Sequence, residues 1–192
     1  EHTRGINAGY AKFETFPIWN LPLKHAVNVA YEAATADILD FNLVDPFHLN
    51  AYSQTAINYN RDVESFPILK KILERIYSDK GSPYKSPTDM GVNRAGFGIV
   101  NDEAVTEAAR QELIRRYFRY NAEFVRGIER RETVDRVIRL MEEMGVRITD
   151  RPAVMKAREA AEDAEAEGKV NNGIFCGAAI QLKDGRLVTG KN

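Results

Sequence analysis

The chain has 192 residues, and 27 Lys and Arg against 28 Asp and Glu leave it a formal charge of −1. Hydrophobic residues make up 44% and charged residues 29%, the balance of a globular protein and not of a disordered or collagen-like one. Near-neutral charge argues against a nucleic-acid binder working through bulk positive potential, and no apolar run approaches the ~20 residues of a membrane helix. A chain that opens Glu1-His2-Thr3 and stops at Gly190-Lys191-Asn192 reads as a piece of something longer.

In chain order, residues 10–18 read as a strand leaving Gly9, with Tyr10, Phe13, Phe16 and Ile18 along it, and Pro17 and Pro22 punctuate the loop that follows. Val27, Ala30, Tyr31, Ala34 and Ile38 recur at the helical period and predict a helix over 26–39. Residues 41–45 form a short apolar strand, and Asp45-Pro46 predicts a cap with proline at the first helical position, opening a helix through Tyr52. Residues 55–59 are a third strand candidate. Residues 67–77 predict a helix whose apolar stripe is Ile68, Leu69, Ile72, Leu73, Ile76 and Tyr77.

After a loop-rich stretch over 79–98, Asp102 is expected to cap the longest helix, which runs to about Arg126. Its stripe of Val105, Ala109, Leu113, Tyr117, Tyr120 and Phe124 is expected to bury against Val134, Val137, Ile138 and Met141 of the next helix, 132–144, which Gly145 closes. Arg151-Pro152 starts a helix to Glu167, and a hairpin over 177–189 turns at Lys183-Asp184-Gly185. The fold class is α+β with helix ahead of strand. Three parts are expected: an α/β-like part over 1–100, a helical part over 101–169 and a terminal hairpin stub over 170–192. The single Cys176 allows no internal disulfide, which makes a cytoplasmic setting the default, and its apolar run suggests a small core residue.

The candidate chemistry is sparse. His2, His25 and His48 are too scattered for a zinc site, and Gly96-Phe97-Gly98 reads better as a tight turn than as a phosphate loop. Lys12 and Glu14, two apart on a predicted strand, share a face: either a surface pair or, at the carboxyl end of a strand, groups projecting into a ligand crevice. Asp45 closes a strand where a carboxylate could hold Mg beside phosphates, or could simply cap the helix that Pro46 opens. The long loop 82–93 offers Tyr84, Lys85, Asp89 and Asn93 as ligand-binding candidates, and its prolines fit a plain surface loop equally.

Several long words carry a resemblance. Residues 3–20 (Thr3-Arg4-Gly5-Ile6-Asn7-Ala8-Gly9-Tyr10 through Trp19-Asn20), Ala30-Tyr31-Glu32-Ala33-Ala34, Asp45-Pro46-Phe47-His48, Asn58-Tyr59-Asn60-Arg61-Asp62 and the 82–93 loop closely resemble the prokaryotic family catalogued as domain of unknown function 1846. The match resumes at Asp184-Gly185-Arg186-Leu187. One departure is Ala26, where the family pattern has proline after the histidine. The resemblance implies much longer proteins, with a glycine-rich, lysine-containing segment similar to a phosphate loop shortly before this stretch. Residues 1–4 would then end the helix after that loop and 9–15 would be the next strand, as in ligases of the dethiobiotin-synthetase type, with Lys12 approaching phosphates. The terminal hairpin resembles the first two strands of a cytidine-deaminase-like domain without its zinc motif.

Two functional expectations follow. One is the middle of a nucleotide-dependent enzyme using ATP and Mg, with Lys12, Glu14 and Asp45 as catalytic candidates and the 82–93 loop binding a small-molecule ligand. The other is a non-catalytic module that forms homo-oligomers through its helical part. Neither involves nucleic acid or membrane.

Overall fold

The computed structural model describes residues 4–6, 16–169 and 172–192. The expected strand over 10–18 lies for the most part outside the described residues. The chain divides into two compact units, Glu1–Leu140 and Met141–Asn192. The longest helix falls in the first unit, and the last helix and the hairpin fall in the second.

In the first unit, α1 (Ala26–Ala34) is capped by His25, whose Nδ1 accepts the Val27 amide at 3.2 Å. Ala26 therefore starts the helix without the proline of the family pattern. The helix stops short of Leu39 because Thr35 Oγ1 donates to the Tyr31 and Glu32 carbonyls, competing with the backbone ladder. A 3₁₀ turn, Ala36–Ile38, follows, and Leu39 takes a left-handed φ of 61°.

Strand β1 (Asn42–Val44) pairs with β2 (Ile57–Tyr59), with Asn42 opposite Tyr59 and Val44 opposite Ile57. The pair is antiparallel, where an α/β-like part implies parallel neighbours. The connecting helix α2 (Pro46–Tyr52) spans only about 10 Å, so the chain doubles back near the end of β1. Parallel pairing among the described residues is confined to a bridge between Ile18 and Asn93.

Helix α3 (Asn60–Tyr77) begins well before Pro67, which sits inside it. An interior proline costs ~3 kcal/mol. Burial of the neighbouring Phe66 against Phe47, ring centroids 5.0 Å apart, contributes about 1.5–3 kcal/mol in the other direction. Asn60 adds two bonds to Phe41: its side chain accepts the Phe41 amide at 2.8 Å and its amide donates to the Phe41 carbonyl at 2.9 Å. Phe66 and Leu73 form the buried face. Ile68, Ile72 and Ile76, expected inside, are 69%, 50% and 52% exposed.

Helix α4 (Asp102–Val125) is capped by Asn101, whose side chain accepts the Ala104 amide at 3.0 Å. Asp102 is instead its first residue and sits 2.9 Å from His25 Nε2. The buried residues Ala109, Leu113, Ile114 and Tyr120 belong to a helix that packs along α1, the partner found where the next helix was expected. The Tyr120 hydroxyl donates to the Ala33 carbonyl at 3.3 Å. Helix α5 (Arg131–Glu143) follows; its Arg136 pairs with the buried Glu32 and lies over the Phe41 ring at 5.3 Å. Gly145 takes the expected left-handed conformation, φ 60°.

In the second unit, α6 (Pro152–Ala166) backs a hairpin of β3 (Gly177–Gln181) and β4 (Leu187–Lys191), in register from Gly177–Lys191 to Gln181–Leu187. A hairpin alone is marginal; here Ala160 and Ala164 are buried on the helix it packs against. Gly177 permits the contact, since a Cβ there would overlap the Ala157 carbonyl and the Ala161 amide. Cys176 is exposed and not a core residue. It precedes the paired strand, and its amide donates to Asn192 Oδ1 at 2.8 Å on the hairpin edge.

The packing of each unit can be tested by one substitution. Leu113→Ala, at a fully buried position, should cost ~2–5 kcal/mol in chemical denaturation. Gly177→Ala should cost about 1–3 kcal/mol and raise amide exchange in α6 and the hairpin while leaving α1–α4 protected.

Candidate functional site

Asp45 is fully buried at the junction of β1 and α2. Its Oδ1 accepts the Phe47 amide at 2.9 Å and the His48 amide at 3.1 Å, which caps the helix that Pro46 opens. Its Oδ2 accepts from Thr88 twice, from the hydroxyl at 2.5 Å and the amide at 3.3 Å. Four donors fill the lone-pair sites of one carboxylate. One side chain thereby fixes the start of α2 to the middle of the 82–93 loop.

That loop is ordered by a second carboxylate. Pro87–Met90 is a 3₁₀ turn with a reciprocal capping box: Ser86 Oγ accepts the Asp89 amide at 3.2 Å, and Asp89 Oδ2 accepts the Ser86 amide at 3.0 Å. The same Oδ2 takes the Lys85 amide at 2.7 Å and the Tyr52 hydroxyl at 3.0 Å, so the loop is tied to α2 at both Thr88 and Asp89. Burial first, and then the Asp89 carboxylate, push the Tyr52 hydroxyl up from its ordinary value. Tyr52 is therefore a neutral donor at physiological pH.

Between the loop, α2 and the segment at residue 19 lies a cavity of about 360 Å³, with Trp19, His48, Tyr52, Tyr84, Asp89 and Arg94 in its lining. Trp19 and His48 meet edge to face, centroids 6.0 Å apart, and His48 stacks obliquely on Tyr52 at 4.7 Å. His48 is 8% exposed, with Nδ1 3.2 Å from Ser86 Oγ. Its Nε2 and the Trp19 Nε1 are both sealed from solvent and have no hydrogen-bond partner among the described residues.

Of the residues expected from the sequence, Tyr84 and Asp89 line this cavity, and Lys85 lies beside it with Nζ 5.5 Å from the Tyr52 ring centroid. Asn93 serves the backbone instead: its Nδ2 donates to the Phe16 carbonyl at 3.0 Å and the Tyr31 hydroxyl at 3.1 Å, pinning the loop's end. Asp45 lies beneath, as the cap of α2. Lys12 and Glu14 fall outside the described residues. Among the described residues no three His, Cys, Asp or Glu side chains gather in a possible metal site. Trp19, Tyr52 and Arg94 are not candidates in the sequence, and His48 is weighed there only among histidines too scattered for a zinc site. The available signals were that Trp19 is the one tryptophan and that His48 completes the word Asp45-Pro46-Phe47-His48.

Comparison with known proteins places this geometry in context. Residues 1–145 match a family model described as "Domain of unknown function DUF1846, N-terminal". The UPF0371 protein CLL_A2797 of Clostridium botulinum (strain Eklund 17B / Type B) is 52% identical over 100% of the chain. The UPF0371 protein of Clostridium tetani (strain Massachusetts / E88) is 50% identical over the same span. The chain spans 38% of the length of each of these relatives.

The Asp45–Thr88 link makes a measurable claim. Thr88→Val keeps the side-chain shape but removes the hydroxyl donor from a buried carboxylate. The loss should be ~1.5–3 kcal/mol in chemical denaturation, the worth of a hydrogen bond to a charged group. Amide exchange over 82–93 should rise with it.

Proposed function

The chain belongs to the DUF1846 family, and we propose that it supplies the small-molecule site of a nucleotide-dependent enzyme, with that site in the cavity of Trp19, His48 and the 82–93 loop. One observation carries the reading: side chains from three separate stretches of sequence surround a single polar, aromatic-walled cavity, and the carboxylates of Asp45 and Asp89 tie two of those stretches, α2 and the 82–93 loop, to each other. Cavities with apolar walls and a few placed polar groups are the usual form of small-molecule sites.

The nucleotide half of the proposal draws on the family's resemblance to phosphate-loop ligases. In that frame Lys12 neutralises phosphate charge. Asp45 acts as a positioning residue. To hold a magnesium ion it would have to release bonds from α2 or Thr88, so no step is routed through a metal at this carboxylate. His48, Tyr52 and Tyr84 orient the acceptor molecule, and the loop limits its contact with water.

The division of labour is testable. Calorimetry of this chain with ATP should show no binding near the micromolar range, where the free energy would be about −8 kcal/mol. In a full-length protein carrying this chain, Lys12→Ala should abolish nucleotide-dependent turnover while circular dichroism stays unchanged. Micromolar ATP binding by this chain alone, or full turnover in Lys12→Ala, overturns the proposal.

A second reading is a non-catalytic module that self-associates. The exposed row of Ile68, Ile72 and Ile76 along α3, together with Phe118 and Val125 on α4, favours it. Under that reading Ile72→Lys should convert a dimer to a monomer in sedimentation measurements.

A further inference from the structure

Between α6 and β3 lies Asn172-Gly173, the chain's one Asn-Gly pair. The side-chain amide carbon of an asparagine is an electrophile. The backbone nitrogen of the next residue is a nucleophile that can reach it by closing a succinimide ring. Two obstacles ordinarily prevent that closure. In a helix or strand the backbone ladder fixes ψ and occupies the amide proton, which keeps the nitrogen away from Cγ. A side chain on the following residue also crowds the approach, and glycine alone has none.

Neither obstacle is present at Asn172. Both residues are exposed and lie outside the helices and strands, with φ of 53° at Asn172 and 79° at Gly173. Neither the Asn172 side chain nor the Gly173 amide has a hydrogen-bond partner among the described residues. A Cβ placed on Gly173 would meet nothing within 4 Å, so the space on that side of the residue is open. Asparagines elsewhere show the contrast. Asn28 and Asn42 are buried, and their Nδ2 atoms donate to the Ile18 and Asn28 carbonyls. Asn93 Nδ2 donates to the Phe16 carbonyl at 3.0 Å, and Asn121 Nδ2 to the Tyr117 carbonyl at 2.9 Å inside α4. Each of those four is followed by a residue with a side chain.

We propose that Asn172 is a site of spontaneous covalent modification in the folded chain, with the Gly173 nitrogen as the attacking group. That nitrogen loses its proton to solvent base and bonds to Asn172 Cγ. The Cγ–Nδ2 bond breaks, and Nδ2 takes a proton from water and leaves as ammonia. Water then opens the ring at one of its two carbonyls. Attack at Cγ gives aspartate, and attack at the Asn172 backbone carbonyl gives isoaspartate, whose main chain runs through Cβ and Cγ. Water is the only co-reactant, and nothing is oxidised or reduced. Either product adds a negative charge before β3, and isoaspartate lengthens the main chain there by one carbon, ~1.5 Å. The chemistry is independent of the cavity and of any nucleotide.

The test is to hold the folded chain in warm neutral buffer, confirm the fold by circular dichroism, and follow the peptide containing residue 172 by mass spectrometry. Asn172 should convert to two chromatographically separate products, each about one mass unit heavier. Isoaspartate should stand beside aspartate, because direct hydrolysis of the side-chain amide gives aspartate alone. Above neutrality the rate should rise about tenfold per pH unit, since the population of the attacking amide anion rises by that factor. Gly173→Ala should slow conversion at least ~10-fold by putting a Cβ beside the attacking nitrogen, and Asn172→Gln should remove both products. The same chain in denaturing urea gives the rate of an unconstrained Asn-Gly pair, and the folded chain should react within ~10-fold of it. Aspartate without isoaspartate, an unchanged rate in Gly173→Ala, or a folded rate below that limit overturns the proposal.

Discussion

A buried carboxylate with four donors organises the first unit around its cavity. Asp45 is an expensive residue to place at zero exposure, because a desolvated carboxylate without partners costs several kcal/mol. Two donors come from its own helix and two from a residue far along the chain, Thr88. Each such bond to a charged acceptor contributes about 1.5–3 kcal/mol, so the cost is offset only when α2 and the 82–93 loop are both in place. Local helix initiation and long-range loop docking thus become one event. His48 is carried on α2, three residues from Asp45, and Asp89 follows Thr88 directly. The cavity walls are positioned from the same point.

A second polar line runs through α1 and keeps the short sheet in place. Asn28 is fully buried, and its backbone carbonyl accepts Asn42 Nδ2 at 2.6 Å. Glu32, one turn on, accepts the Asn42 amide at 2.9 Å and pairs with Arg136 from α5. A three-residue strand cannot hold its register through two or three ladder bonds alone. Side chains from α1 supply the missing specification, and the apolar face of α4 closes the other side of that helix. The Glu32–Arg136 pair is half-buried and stacked on Phe41, where solvent screens it less than an open surface pair.

Local rules are legible in the sequence and tertiary exchanges are not. Asp45-Pro46, Gly145 and the Lys183-Asp184-Gly185 turn each act through their own neighbours, and each lies where its chemistry predicts. The start of α3 differs from expectation because Pro67 is a strong local stop, overridden by the burial of Phe66 and by Asn60 bonding across to Phe41. The buried face of α3 differs for a related reason: Ile68, Ile72 and Ile76 outnumber Phe66 and Leu73 in any periodicity count, yet the aromatic ring is what α2 packs on. Asp102 loses the cap to Asn101 by one residue, a difference that depends on which oxygen reaches the Ala104 amide. In the site, the loop's Tyr84 and Asp89 are legible as polar groups in a long loop. His48 and Trp19 are not, because their place in the cavity wall depends on how distant stretches pack, which leaves no trace in composition or spacing.

The unfilled bond at Trp19 is a consequence of how its backbone is held. Ile18 is gripped from both sides by one amide: its N–H donates to Asn28 Oδ1 at 2.7 Å, and its carbonyl accepts Asn28 Nδ2 at 3.0 Å. The Trp19 carbonyl takes the Ile57 amide at 3.0 Å, which adds this segment to the free edge of β2. The ring is then confined between His48 and Phe97, with centroids at 6.0 and 6.4 Å. Gly96 allows the close approach on the far side, since a Cβ there would come within 2.6 Å of Asn20 Oδ1 and 2.8 Å of an Ile18 methyl. Backbone held on both edges and a ring packed on both His48 and Phe97 leave the indole little freedom to turn towards water or another acceptor. The unpaired indole donor is therefore a fixed cost of about 1–3 kcal/mol, carried by the packing that holds Trp19 in the cavity wall.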